Sequence, residues 1–142
     1  MNILILNGPN LNLLGKRDKE HYGDFTLEKI KVELEKEFPE NKFTFFQSNY
    51  EGELIDKIQS ASEKFEAVII NPGGYAHSSV AIRDALAELS IPKIEVHISH
   101  LAKREDFRQS LITASACDGY ISGFKDKSYF AAVYLLGIKN YR

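Results

Sequence analysis

Ile3-Leu4-Ile5-Leu6 runs without a break into Asn7-Gly8-Pro9-Asn10-Leu11-Asn12-Leu13-Leu14-Gly15-Lys16-Arg17. Four consecutive apolar residues without alternation mark a strand covered on both faces, as in a parallel sheet held between helical layers. The change to Asn, Gly and Pro ends that strand in amide side chains, at the carboxyl edge where open α/β sheets place their ligands. The polar stretch beyond it carries Arg17 and Tyr22 between Gly15 and Gly23. It reads as a hinged flap bringing charge over a pocket, and equally well as a surface loop rich in turn residues.

The strand–helix alternation continues along the chain. Positions 25–38 set Leu27, Ile30, Leu34 and Phe38 at helical spacing, with Thr26 as N-cap and Pro39 just past the end. Positions 43–47 read as a second strand, and 53–62 as a helix with Leu54, Ile55, Ile58 and Ala61 on one face. Ala67-Val68-Ile69-Ile70 is a third strand, again apolar throughout, and 78–89 a helix through Val80, Ile82, Leu86 and Leu89. A fourth strand with polar members covers 94–98, a further helix 107–114, a fifth strand 119–123 and a terminal helix 129–138. Five strands with intervening helices predict one doubly wound, three-layer α/β domain over 1–142 with right-handed crossovers. The flavodoxin-like order 2-1-3-4-5 sets strands one and three side by side at the switch point.

Composition narrows the function classes. The 142 residues carry a net charge of -2, so no basic excess points to nucleic acid. No apolar run reaches membrane-spanning length. Met1-Asn2 leads directly into a strand, without the basic and apolar regions of a secretory signal. The single cysteine, Cys117, cannot pair within the chain, and a reducing, cytoplasmic setting is expected.

In the expected order, three polar strand ends converge: Asn7-Gly8-Pro9-Asn10, Asn71-Pro72-Gly73-Gly74-Tyr75-Ala76-His77-Ser78-Ser79, and Glu95-Val96-His97-Ile98-Ser99-His100. Glu95 and His97, two apart on a strand, point to one face while Val96 points to the other. A carboxylate there orients an imidazole and favours its protonated form, which suits a general acid; two polar residues facing water at a strand end are the plainer alternative. Ser99 and the Ile98 amide open the next turn, where they suit a carboxylate. His77 precedes a helix N-terminus that attracts anions, or is an N-cap neighbour with no ligand. Arg104 and Arg108 would share a helical face if their segment is helical, as a solvated stripe or with one reaching the pocket. The pair His97 and His100 would splay apart on a strand-to-turn segment and lacks a completing ligand set, so no metal is expected. There is no dinucleotide fingerprint, phosphate loop or serine-hydrolase elbow.

Taken together, NGPNLNLLGKR, Tyr22-Gly23, QSNYEGELID, NPGGYAHSSVAIRDA, IEVHIS and REDFR resemble the type II 3-dehydroquinate dehydratases, in the order that family shows them. The resemblance implies a flavodoxin-like fold, no metal or organic cofactor, and a homo-oligomer, typically a dodecamer of four trimers. It also implies dehydration of the small molecule 3-dehydroquinate to 3-dehydroshikimate in the shikimate pathway. By the same resemblance Tyr22 takes the proton beside the ketone, and Arg17 keeps that tyrosine ionised and stabilises the transition state. Asn10 positions a water against the enolate, and His97, oriented by Glu95, protonates the departing hydroxyl. Asn71, His77, Ile98, Ser99 and Arg108 match substrate-binding positions, with Ile98 and Ser99 at the carboxylate. Asp84 matches a residue that completes the neighbouring subunit's site, and is otherwise an ordinary exposed charge beside Arg83. Two stretches depart from the family pattern: His100, where Asn is frequent, and Gly123-Phe124-Lys125-Asp126-Lys127-Ser128-Tyr129, where Gly-Phe-Gly and Gly-Tyr are usual.

The implied chemistry sets a quantitative demand. A free tyrosine titrates near 10, and half-ionisation at neutral pH takes about 3 pH units, or about 4 kcal/mol. One arginine about 4 Å away supplies ~1 kcal/mol in bulk water and ~4 kcal/mol at an effective dielectric near 20. A flap that excludes water is therefore part of the requirement. The readings from other classes are a non-catalytic module binding FMN or phosphate in the three loops, and a Schiff-base dehydratase, for which no strand end offers a lysine.

Overall fold

The structure, a computed structural model, describes residues 1–138; the last four positions of the expected 1–142 span lie outside the described residues. Five strands form one all-parallel sheet: β1 (Asn2–Asn7), β2 (Lys42–Gln47), β3 (Ala67–Asn71), β4 (Lys93–His97) and β5 (Gly119–Ser122). Their spatial order is β2-β1-β3-β4-β5, the flavodoxin-like order expected from the chain. The register aligns the strand ends that matter: Asn7 lies opposite both Gln47 and Asn71, and His97 opposite Ser122.

The helices are α1 (Lys19–Tyr22), α2 (Leu27–Glu37), α3 (Glu51–Gln59), α4 (Val80–Glu88) and α5 (Lys127–Gly137). Alternation along β1 divides the core. Ile3 and Ile5 pack with Ile30 and Leu34 of α2 and Tyr129, Ala132 and Val133 of α5 on one face. Leu4 and Leu6 pack with Leu54 and Ile58 of α3 and Ile82 and Leu86 of α4 on the other. Each fully buried Leu or Ile contributes about 1.5–3 kcal/mol, and for this reason Ile3–Leu6 of β1 and Ala67–Ile70 of β3 are apolar, whereas β4 buries Lys93, Glu95 and His97 among its apolar residues. Local signals place the helix starts: Thr26 Oγ1 accepts from the Lys29 amide at 3.2 Å, and Ser79 Oγ from the Ile82 amide at 2.9 Å.

The helix expected over 107–114 does not form. The chain instead makes short 3-10 turns at Leu101–Lys103, Asp106–Gln109 and Thr113–Ala116. Its backbone is engaged elsewhere: the Ile112 amide donates to the Ala76 carbonyl at 2.8 Å, and the Ser110 carbonyl accepts from His77 Nδ1 at 2.8 Å. Arg104 and Arg108 consequently share no helical face; Arg104 has extended backbone (φ -98°, ψ -176°).

Two loops interlock above the sheet. A Cβ on Gly8 would lie 2.4 Å from the Pro72 carbonyl oxygen, and one on Gly73, itself at φ +59°, would lie 3.0 Å from that of Pro9. Only glycine permits this approach of the β1 and β3 loops.

Candidate active site

Loops after β1, β3 and β4 meet in one cleft. From the first loop come Asn10, Arg17 and Tyr22; from the second, Asn71 and His77; from the third, His97, Ile98, Ser99, Arg104 and Arg108. Glu95 lies behind His97 rather than on the wall, and Asp84 lies outside the cleft on α4.

The segment bearing Arg17 and Tyr22 lines one side of the cleft. Asp18 caps the single turn of α1 by accepting from the Glu20 amide at 3.0 Å, and the Tyr22 ring packs against the core. The Arg17 guanidinium sits over the face of that ring, 3.7 Å from its centroid. The hydroxyl is met by a different arginine: Arg104 Nη1 donates to Tyr22 Oη at 3.0 Å and to Ser99 Oγ at 2.9 Å. Burial lowers the Arg17 pKa from its ordinary value; Tyr22 opposes the effect, and the positive charges of Arg104 and Arg108 add to it. Three guanidinium groups thus line one cleft, with Glu105 Oε2 3.7 Å from Arg104 Nε and 2.5 Å from Arg108 Nε.

Opposite them, β4 presents a buried dyad. His97 Nε2 lies 2.6 Å from Glu95 Oε1, donating to the carboxylate, so Nδ1 is the free ring nitrogen. Glu95 is completely buried, and its Oε2 accepts from Thr113 Oγ1 at 2.6 Å. His77 stacks beside His97 with ring centroids 6.2 Å apart. Burial pulls the His77 pKa below its ordinary value, with the Ser110 hydrogen bond opposing and the charges of His97 and Arg108 adding. Donation from Nδ1 to Ser110 leaves Nε2 of neutral His77 as an acceptor.

Asn71 is held from below. Its Nδ2 donates to the Tyr129 hydroxyl at 3.1 Å, which in turn donates to Asn7 Oδ1 at 2.5 Å; Asn71 Oδ1 accepts from the Gly73 amide at 3.2 Å. Burial raises the Tyr129 pKa, so the hydroxyl stays a donor. Asn10 adopts a left-handed conformation (φ 68°), with its amide bonded to Asn49 Oδ1 at 3.0 Å. Arg108 pairs with Glu105 at 2.5 Å while lining the cleft. Asp84 is 62% exposed and pairs with Arg83 at 3.0 Å. His100, the other half of the imidazole pair, lies exposed and packs over Gly123. Among the described residues, no cluster of three His, Cys, Asp or Glu could hold a metal ion. No helix there is long and apolar enough to cross a membrane.

Residues 1–137 match the family described as dehydroquinase class II. The chain belongs to this family. The 3-dehydroquinate dehydratase of Caldicellulosiruptor bescii is 52% identical to it over 137 residues, 94% of this chain and 94% of that protein. That of Clostridium botulinum (strain 657 / Type Ba4) is 49% identical over 134 residues, 93% and 91% of the two chains. The crystal structure of type II dehydroquinase from Butyrivibrio crossotus superposes with a TM-score of 0.93 at 44% identity, covering 97% of this chain and 98% of that one.

Two positions where the chain departs from the usual dehydroquinase pattern have visible work. Lys125, at φ 53°, donates its amide to the Ile98 carbonyl at 3.0 Å and its Nζ to the Glu20 carbonyl. Ser128 Oγ donates to the His97 carbonyl at 3.0 Å. Neither the direction of the Arg104 side chain nor the contact made by Thr113 is encoded in a local sequence pattern. Arg104 stood in the REDFR motif, but its orientation depended on a helix that does not form. Thr113 lies eighteen positions beyond Glu95, with no local pattern linking the two.

Proposed function

We propose that this dehydroquinase removes water from 3-dehydroquinate to give 3-dehydroshikimate through an enolate, as a hydro-lyase of the shikimate pathway. The observation that carries the reading is the pairing, in one cleft, of a tyrosine hydroxyl held by an arginine with an imidazole backed by a buried carboxylate. The two groups supply base and acid from separate walls, which elimination of water requires.

Tyr22, as phenolate, takes the proton from the carbon beside the ketone, and the C–H electron pair moves into the enolate. Arg104 at its oxygen and Arg17 over its face stabilise the negative charge before transfer. Asn10 holds a water that donates to the enolate oxygen. As the ketone re-forms, the carbon–oxygen bond of the leaving hydroxyl breaks, and His97 Nδ1 gives that oxygen its proton. One proton then passes from Tyr22 to His97 through solvent to close the cycle. The Ile98 amide and Ser99 hydroxyl take the substrate carboxylate, Arg108 adds positive charge, and Asn71 and His77 Nε2 bond the ring hydroxyls.

The dodecamer of four trimers rests on the family resemblance, and the cytoplasmic setting on the lone Cys117, which cannot pair within the chain. Asp84, exposed on α4 and not part of its own cleft's lining, is suited to completing the cleft of a neighbouring subunit. The deciding experiment mixes purified protein with 3-dehydroquinate and follows the ultraviolet absorbance of the conjugated enone, with a chelator and borohydride added in parallel. Turnover that survives both additions supports the reading. No turnover from a folded, assembled sample would leave a ligand-binding module in its place.

A further inference from the structure

The Glu95 carboxylate is wholly buried and each of its oxygens has a donor: His97 on Oε1 and Thr113 on Oε2, both at 2.6 Å. Thr113, itself fully buried, comes from the turn Thr113–Ala116 rather than from the sheet. The segment carrying it is anchored on the β3 loop by the Ile112 amide on the Ala76 carbonyl and by His77 Nδ1 on the Ser110 carbonyl.

We propose that Thr113 is a positioning residue of the dehydration: its hydroxyl fixes the Glu95 carboxylate in the orientation that holds His97 Nε2 and aims Nδ1 into the cleft. A carboxylate with only one fixed oxygen can rotate about its last bond, and a buried oxygen without a donor favours its own protonation at the expense of the imidazole. Thr113 removes both options. The same short segment also bonds His77, so it sets both imidazoles of the cleft at once.

This inference rests on His97 as proton donor. The experiment measures kcat, KM and thermal midpoint for Thr113→Val, Thr113→Ser and Thr113→Cys, each alone and on Glu95→Gln, beside His97→Ala. Loss of one charge-assisted hydrogen bond is expected to lower kcat about 10- to 100-fold in Thr113→Val with KM within about twofold. Thr113→Ser should restore most of kcat. Thr113→Cys, with a weaker donor of similar volume, should fall between, which keeps the test open if the valine variant folds poorly. On Glu95→Gln, Thr113→Val should cost clearly less than it does alone. Unchanged kcat in Thr113→Val, serine as impaired as valine, or full additivity with Glu95→Gln overturns the proposal. Activity retained in His97→Ala would instead sink the proton-donor reading, and with it this one.

Discussion

Replacing Arg104 by Met keeps the length and apolar stem of the side chain and removes the charge that meets the Tyr22 hydroxyl at 3.0 Å. With the centre of the guanidinium about 4 Å from the phenolate oxygen, the attraction is ~1 kcal/mol in bulk water and ~4 kcal/mol at an effective dielectric near 20. The Arg104 side chain is only 7% exposed, which favours the larger figure. At about 1.4 kcal/mol per tenfold in rate, its full loss is a factor of about a thousand. Arg17 remains over the ring at 3.7 Å and recovers part of this, so kcat should fall about 100- to 1,000-fold. Ser99 also loses the donor that orients it, and KM should rise as well. Arg104→Lys retains the charge without the fork that spans Tyr22 and Ser99, and should lie between the two. The assay is enone absorbance at saturating 3-dehydroquinate, with circular dichroism to confirm folding. A kcat within tenfold of the parent in Arg104→Met would refute the idea that a low-dielectric contact from Arg104 activates Tyr22.

Other expectations follow from the same geometry. Tyr22→Phe should abolish measurable turnover at unchanged thermal midpoint; near-normal turnover would remove Tyr22 as the base. Gly8→Ala places a methyl carbon 2.4 Å from the Pro72 carbonyl oxygen and should cost about 1–3 kcal/mol, read as a lower denaturation midpoint. His77 has its pKa depressed by burial, so the unfolded chain binds the extra proton more readily than the folded one. Its contribution to stability is therefore full above the ordinary histidine value and is lost as pH falls towards the lower, folded value. His77→Gln should flatten that part of the stability–pH curve, and an unaltered curve would argue against it.

The sheet was legible because burial on both faces forbids alternation: 3–6 and 67–70 are short runs apolar without interruption and bounded by polar or turn residues, whereas the longer apolar run 129–136 is helix α5. The site was legible where chemistry sits at strand ends, because the register carries Asn71, Glu95 and His97 to one edge once the strand order is known. The stretch 101–116 was not legible. Helical spacing at 107–114 competes there with bonds to the β3 loop, and those partners lie more than thirty positions away for Ser110 and Ile112. Arg104 illustrates the cost: its side-chain direction follows from an extended backbone at one residue, which no periodicity encodes.

The crowding of Arg17, Arg104 and Arg108 around one cleft has a consequence for how the protein meets small ions. The chain as a whole is mildly anionic at -2, yet three guanidinium groups line its cleft, with Glu105 as partner to two of them. Sulfate, phosphate and citrate should compete there with a carboxylate substrate, read as a raised apparent KM. Capture of substrate should slow as ionic strength shortens the reach of the arginines' field below about 8 Å, while the chemical step keeps its rate. Buffer choice thus enters the apparent affinity directly, and a Michaelis constant measured in phosphate will describe a competition between two anions.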